Sequence, residues 1–155
     1  RSWIKNKKVL IKNPLSTRPW QHVLEPLGGY IHLAQLLHKN KNLHGESFNF
    51  GPPLSQNKTV LDIVKEFSKH FDNSEWAIPK TKSKKFFESN LLKLNCEKAF
   101  QYLKWGPVLD FSDLVLFTSE WYQSYIEKKD LENLTDLQIE KYFSKAINKG
   151  NLWIK

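Results

Sequence analysis

Apolar residues recur at helical spacing along most of this sequence, while its strand-like runs are only three or four residues long. That pairing points to a helix-rich α/β chain whose strands are too few and too short for a self-sufficient doubly wound sheet. The clearest helix follows Thr59. Threonine is a good N-cap, Asp62 stands three positions on, and Val60, Ile63, Val64, Phe67 and Phe71 form one apolar stripe. A second helix is expected from Glu25 to Lys39, with Pro26 in its first turn and Leu24, Leu27, Ile31 and Ala34 on one face. Gly28 and Gly29 lie inside it and each costs about 1 kcal/mol against alanine, so something must pack closely there.

The remaining elements are shorter. Residues 1–8 read as the end of a helix with Trp3 and Ile4 as its apolar contacts. Val9–Ile11, Ser47–Phe50, Trp76–Ile78 and Leu91–Leu94 read as strands. Asn13-Pro14, Gly51-Pro52-Pro53 and Trp105-Gly106-Pro107 are the turns and breaks between them. Asn95 is expected to cap a short helix through Leu103, and Ser112 a longer one that buries Phe117, Trp121 and Tyr125. Thr135 with Gln138 matches a capping box opening a last helix, with Ile139, Tyr142, Phe143 and Ala146 on its face.

The chain of 155 residues fits one domain with a real core. No apolar run reaches the roughly 18 residues of a membrane span, and no signal peptide is visible, so a soluble protein is expected. A lone cysteine, Cys96, makes neither an internal disulfide nor a cysteine zinc site and points to a reducing, cytoplasmic setting. The five histidines lack metal-ligand spacing, so no metal site is expected. The net charge of +8 raises binding to nucleic acid or another polyanion. Its clusters are Lys5, Lys7, Lys8 and Lys12, then Lys80, Lys82, Lys84 and Lys85. No zinc-finger, RNP-like or helix-turn-helix pattern accompanies them, and a solvated lysine surface is the simpler reading.

No GxGxxG or GxxxxGK[ST] loop exists among the six glycines, so no cofactor-binding residues are assigned to this chain. Tyr125 to Lys129 fits a Tyr-x-x-x-Lys spacing, but it ends an amphipathic helix with no dinucleotide fold before it. No catalytic residue is assigned either. The strongest constellation is instead Asn13 to Leu27. Only two of the 24 basic residues are arginines, Arg1 and Arg18, and Arg18 lies in this stretch. Pro19 holds Arg18 extended. Trp20, Gln21 and His22 follow before a helix start that favours anions. A guanidinium there fits two parallel hydrogen bonds to a diphosphate. A structural turn with a surface arginine fits the same residues.

This stretch resembles the C-terminal half of the CDP-glucose 4,6-dehydratases, members of the extended short-chain dehydrogenase/reductases (the NAD-dependent epimerase/dehydratase family). The run Arg18-Pro19-Trp20-Gln21-His22-Val23 carries the likeness most specifically. Phe48-Asn49-Phe50-Gly51-Pro52, Leu92 to Ala99, Leu103-Lys104-Trp105, Trp121-Tyr122 and Thr135 to Tyr142 extend it over nearly the whole chain. The resemblance implies that residues 1–155 form a substrate-binding C-terminal lobe, with the Rossmann core absent and NAD held mainly by an N-terminal domain. It implies a bacterial cytoplasmic enzyme of surface-polysaccharide synthesis. That enzyme oxidises C4 of the glucosyl unit, loses water across C5 and C6, and returns the hydride at C6. It further implies a nucleotide-sugar substrate, a homodimer when full length and inactivity of this part alone. Arg18 would hold the diphosphate, with Gln21 and His22 shaping the same pocket. Family members carry a Pro-His-Glu-Ala-like stretch where this chain reads Lys85-Phe86-Phe87-Glu88-Ser89; Lys85 is a candidate second phosphate contact. A related nucleotide-sugar epimerase or dehydratase, or a stand-alone basic binder of polyanions, are the alternatives.

Overall fold

A computed structural model describes residues 2–79, 90–151 and 153. Strand β1 (Val9–Leu10) is followed by α1 (Leu24–Lys39), α2 (Val60–Ser68) and β2 (Trp76–Ala77). Three helices complete the order: α3 (Glu97–Leu103), α4 (Phe111–Ile126) and α5 (Leu131–Asn148). The strands pair in parallel, Val9 with Trp76 and Leu10 with Ala77. Ile11 N–H donates to Ala77 O at 2.9 Å and ends the ladder. The result is a helix-rich α/β fold with a two-stranded parallel sheet.

Two expected strands do not form. Ser47–Phe50 joins no ladder among the described residues, because its placement is set by side chains: Phe50 is buried, its ring 4.9 Å from and edge-on to that of Trp105. Leu91–Leu94 contributes only an isolated parallel bridge, Thr17 to Leu91. The expected helix end at residues 1–8 is a single 3-10 turn, Trp3–Lys5, stopped by Asn6 in the left-handed region at φ 51°.

Helix starts follow capping chemistry. Thr59 and Asp62 form the expected reciprocal box on α2, with Asp62 N–H donating to Thr59 Oγ1 at 3.1 Å and Thr59 N–H to Asp62 Oδ2 at 2.8 Å. Phe71 lies beyond the end of α2, its ring 5.8 Å from Trp3. Asn95 Oδ1 accepts from Glu97 N–H at 2.9 Å at the start of α3. Helix α4 begins at Asp110 rather than Ser112: a carboxylate two residues earlier reaches Asp113 N–H at 2.9 Å, and Ser112 merely donates to it. Helix α5 begins at Asp130 rather than Thr135, again because an earlier aspartate caps it. Thr135 sits in the second turn, donating to Leu131 O at 2.7 Å.

The main core joins Phe50, Ala99, Leu103, Trp105 and Val108 to Phe117 of α4 and to Tyr142 and Ala146 of α5. A smaller cluster of Ile63, Leu114 and Val115 joins α2 to α4, with Trp20 and Phe111 against it. Helix α1 turns a different face inward than its leucines suggest. Leu27 and Ile31 are exposed, whereas Glu25, Gly29, Leu33 and Leu36 run along the inner side at spacings of four, four and three. Gly29 is there because any Cβ would lie 2.7 Å from Phe50 Cε1 and Cγ. Close packing at the glycine pair is therefore real, and its partners are this chain's own Phe50 and, beside Gly28, Trp153 and Tyr142. On the later helices Tyr125 and Phe143 are more exposed than their spacing suggests. Among the described residues no helix is long and apolar enough to cross a membrane.

Candidate functional site

The loop leading to Arg18 is held by backbone bonds on both sides. Ser16 O accepts from Val60 N–H at 2.9 Å and Pro14 O from Leu61 N–H at 3.0 Å, which pins the loop under the start of α2. Thr17 N–H donates to Asn90 O at 2.8 Å, and Thr17 also bridges Thr59. These bonds bring segments 17–19, 52–57 and 90–94 together. Between them lies a narrow cleft lined by Arg18, Pro52, Leu54, Gln56, Asn57, Lys93 and their neighbours.

Arg18 Nη1 donates to Thr17 O at 2.7 Å, which fixes the inner edge of the guanidinium. Lys93 Nζ donates to Leu54 O at 3.2 Å on the opposite wall. No carboxylate lines this cleft among the described residues. Its described polar lining includes a planar guanidinium, an ammonium and two amides. Pro52, Pro53, Leu54 and Leu94 also wall an adjoining hollow of about 320 Å³ that contains Cys96 and Trp105. Burial pushes the Cys96 thiol up from its ordinary value, so it stays protonated and is a poor nucleophile.

Gln21 and His22 line a separate hollow of about 370 Å³ against Thr118, Trp121, Tyr122, Thr135 and Gln138. The single pocket expected for Arg18, Gln21 and His22 is thus two. Gln21 Nε2 donates to Phe50 O at 3.0 Å, next to the Gly51-Pro52 wall, while its Oε1 is buried without a partner among the described residues. His22 is buried, its Nδ1 accepts from Leu24 N–H at 3.3 Å, and its ring stands edge-on 5.6 Å from Phe117. Burial lowers its pKa, so the imidazole is kept neutral. Lys85, with Lys80, Lys82 and Lys84, lies outside the described residues.

Lys93 was missed by sequence reasoning. The available signal was one cation in the otherwise aliphatic run Leu91-Leu92-Lys93-Leu94. Tyr125 and Lys129 do not share a helix face: α4 ends at Ile126, Lys128 is left-handed at φ 55°, and Lys129 pairs with Glu127 at 2.5 Å. Among the described residues no strand runs through a glycine turn into a helix start, the arrangement that cradles a pyrophosphate.

Set against curated proteins, the chain is 37% identical over 145 residues to the CDP-glucose 4,6-dehydratase of Salmonella typhimurium (strain LT2), a match covering 93% of this chain. The chain is homologous to the C-terminal part of CDP-glucose 4,6-dehydratase. It spans 40% of that relative's length. Among solved structures, UDP-glucuronic acid 4-epimerase from Bacillus cereus, in complex with UDP-glucuronic acid and NAD, shares the fold. That match has a TM-score of 0.60 at 20% identity, over 82% of this chain and 37% of the epimerase. No protein-family profile matches the chain.

Proposed function

We propose that this chain is the nucleotide-sugar-binding lobe of an NAD-dependent enzyme acting as a CDP-glucose 4,6-dehydratase, which converts CDP-glucose to CDP-4-keto-6-deoxyglucose and water. The observation that carries the proposal is Arg18, lining one narrow cleft with Gln56, Asn57 and Lys93, in a chain 37% identical to such a dehydratase. Arg18 grips the diphosphate bidentately. Gln21 and His22 support that grip from behind: Gln21 anchors the loop to Phe50 O beside the cleft wall, and His22 packs it on Phe117. NAD is held by residues outside those described here, in a Rossmann domain that with this lobe makes a cytoplasmic homodimeric enzyme.

Calorimetric titration of the full chain with CDP-glucose and UDP-glucose tests the reading. CDP-glucose should bind, and Arg18→Ala should weaken it at least about tenfold, the loss of a charge-assisted contact. Preference for UDP-glucose would move the assignment to a related epimerase or dehydratase. Binding that survives Arg18→Ala but falls steeply with salt would replace it with a basic polyanion-binding protein.

A further inference from the structure

We propose that the hollow walled by Pro52, Leu94, Phe100 and Trp105 is a binding site for a ring of cytosine type, with the Trp105 indole donating to a ring acceptor and Glu97 accepting the exocyclic amino group. The observation that carries this is Trp105. It is buried, it lines the hollow, and its indole N–H has no acceptor among the described residues. A buried donor left unpaired costs about 1–3 kcal/mol, and an indole can only donate, so whatever completes it must bring an acceptor. The ring is fixed in place: it stands edge-on to Phe50 at 4.9 Å, and the Trp105 main-chain N–H donates to Ala99 O at 3.3 Å. The site does not depend on Arg18. The proposed function bears only on where the ring comes from, the base of a nucleotide sugar or a free nucleoside.

The hollow has the size and lining for such a ring. Its volume, about 320 Å³, is that of a small-molecule pocket. Two walls close on each other at Gly51, where a Cβ would lie 3.0 Å from Leu94 Cδ1 and 3.3 Å from Cys96 Sγ. Pro52, Pro53 and Pro107 bring rigid apolar surface without an N–H, and Phe100 lines the hollow while remaining exposed, a ring available for stacking. A sugar carries a hydroxyl on most of its carbons and would leave them unpaired here; a base has two faces without polar groups. Charge then selects among bases. Glu97 is the ionised side chain in the lining, and no cation joins it among the described residues, so an anion is disfavoured and an amino group favoured. One Glu97 oxygen accepts from Gln101 Nε2 at 3.2 Å, which steadies the carboxylate for a second donor. Cytosine brings a carbonyl acceptor and an amino donor. Uracil sets a second carbonyl where the amino group stood, against the carboxylate.

The test is a nuclear magnetic resonance titration of the full nitrogen-15-labelled chain with cytidine and with uridine, following the Trp105 indole N–H resonance, which is identified by its loss in Trp105→Phe. Cytidine should move that resonance saturably, and uridine should bind about tenfold more weakly. Glu97→Ala changes an exposed side chain and leaves the indole signal in place as a reporter; it should weaken cytidine about tenfold and erase the preference over uridine. Glu97→Gln, which keeps an acceptor oxygen, should recover part of the loss. A Trp105 resonance that cytidine leaves still, equal binding of the two nucleosides, or cytidine binding unchanged in Glu97→Ala would each overturn the site, and none of these touches the reading of Arg18. CDP-glucose then identifies the source. Displacement of cytidine with the same Trp105 shift supports the site as the seat of the substrate's base, and simultaneous binding of both supports it as a separate nucleoside site.

Discussion

The Glu25 carboxylate accepts the hydroxyl of Tyr142 at 3.2 Å, joining the first turn of α1 to the middle of α5 across 117 positions of sequence. Its oxygens also accept Val108 N–H at 3.0 Å and Leu109 N–H at 2.5 Å, and the residue is buried. One carboxylate thus satisfies three donors from two distant parts of the chain. Burial and the neighbouring carboxylate push the Tyr142 phenol well above its ordinary value, so it remains a donor at every working pH.

Glu25→Ala should therefore destabilise the fold by about 2–4 kcal/mol, because it leaves two buried amides and a hydroxyl without an acceptor. Glu25→Gln, which keeps one oxygen, should cost less. The pH dependence has a definite sign. Burial raises the Glu25 pKa above its ordinary 4.5, against the opposing pull of Leu109, Val108, Tyr142 and Lys149. The unfolded chain ionises first, so the stability difference between wild type and Glu25→Gln should shrink as pH rises from about 4.5 through the raised value. Urea denaturation across that range reads it directly.

Gly29→Ala should destabilise by about 1–3 kcal/mol despite alanine's better helix propensity, since the new methyl must displace the Phe50 ring. Gly28→Ala should cost less, because the nearest atoms are side-chain ends of Trp153 and Tyr142 at 3.0 Å. Adding Phe50→Leu to Gly29→Ala should recover part of the loss. Thermal melts of the four proteins decide it, and equal melting temperatures for the two alanine variants would contradict the packing described here.

Much of this architecture was legible in residue order. The α2 box, the span of α1 and the two short strands at Val9 and Trp76 follow from local chemistry, and local chemistry is what sequence displays. The inner face of α1 was not legible. It runs through a glutamate and a glycine, residues that pattern rules exclude from a core, and only the Val108–Leu109 amides and the Phe50 ring explain them. Ser47–Phe50 has a strand's composition, but among the described residues no ladder partner adjoins it. Arg18 was legible because arginine is so rare here; Lys93, one lysine among many, needed the fold to bring it to the same cleft.

His22 supplies a second pH signature of opposite sense. Burial lowers its pKa below the ordinary 6.5, so the unfolded chain takes up the proton first as pH falls. Its contribution is intact above pH 6.5 and is lost as pH falls from there through the lowered folded value. Glu25 changes stability in the opposite sense with pH, so a variant that removes the imidazole is needed to isolate His22. His22→Asn, which keeps a short acceptor near Leu24 N–H but does not titrate, should lose less stability than wild type between pH 7 and 5. A parallel decline in both proteins would refute a buried neutral imidazole.

The start of α4 distinguishes two aspartate–serine readings. Asp110 Oδ1 accepts from Asp113 N–H at 2.9 Å and from the Ser112 hydroxyl at 2.7 Å. Those bonds, that of Ser112 foremost, hold the Asp110 carboxyl below the ordinary 3.8. Asp110→Ala should cost about 1 kcal/mol, and up to about 2, as a lost N-cap does. Asp110→Asn should cost only a few tenths, since asparagine caps nearly as well. Ser112→Ala should fall between them, because it removes a donor to the cap and leaves the cap in place. The cap's ionic share is present above the ordinary aspartate value and is lost as pH falls through the lowered one, so the gap between wild type and Asp110→Asn should close in acid. Should Ser112→Ala prove costlier than Asp110→Ala in denaturant titrations, the helix would have to begin at Ser112 after all.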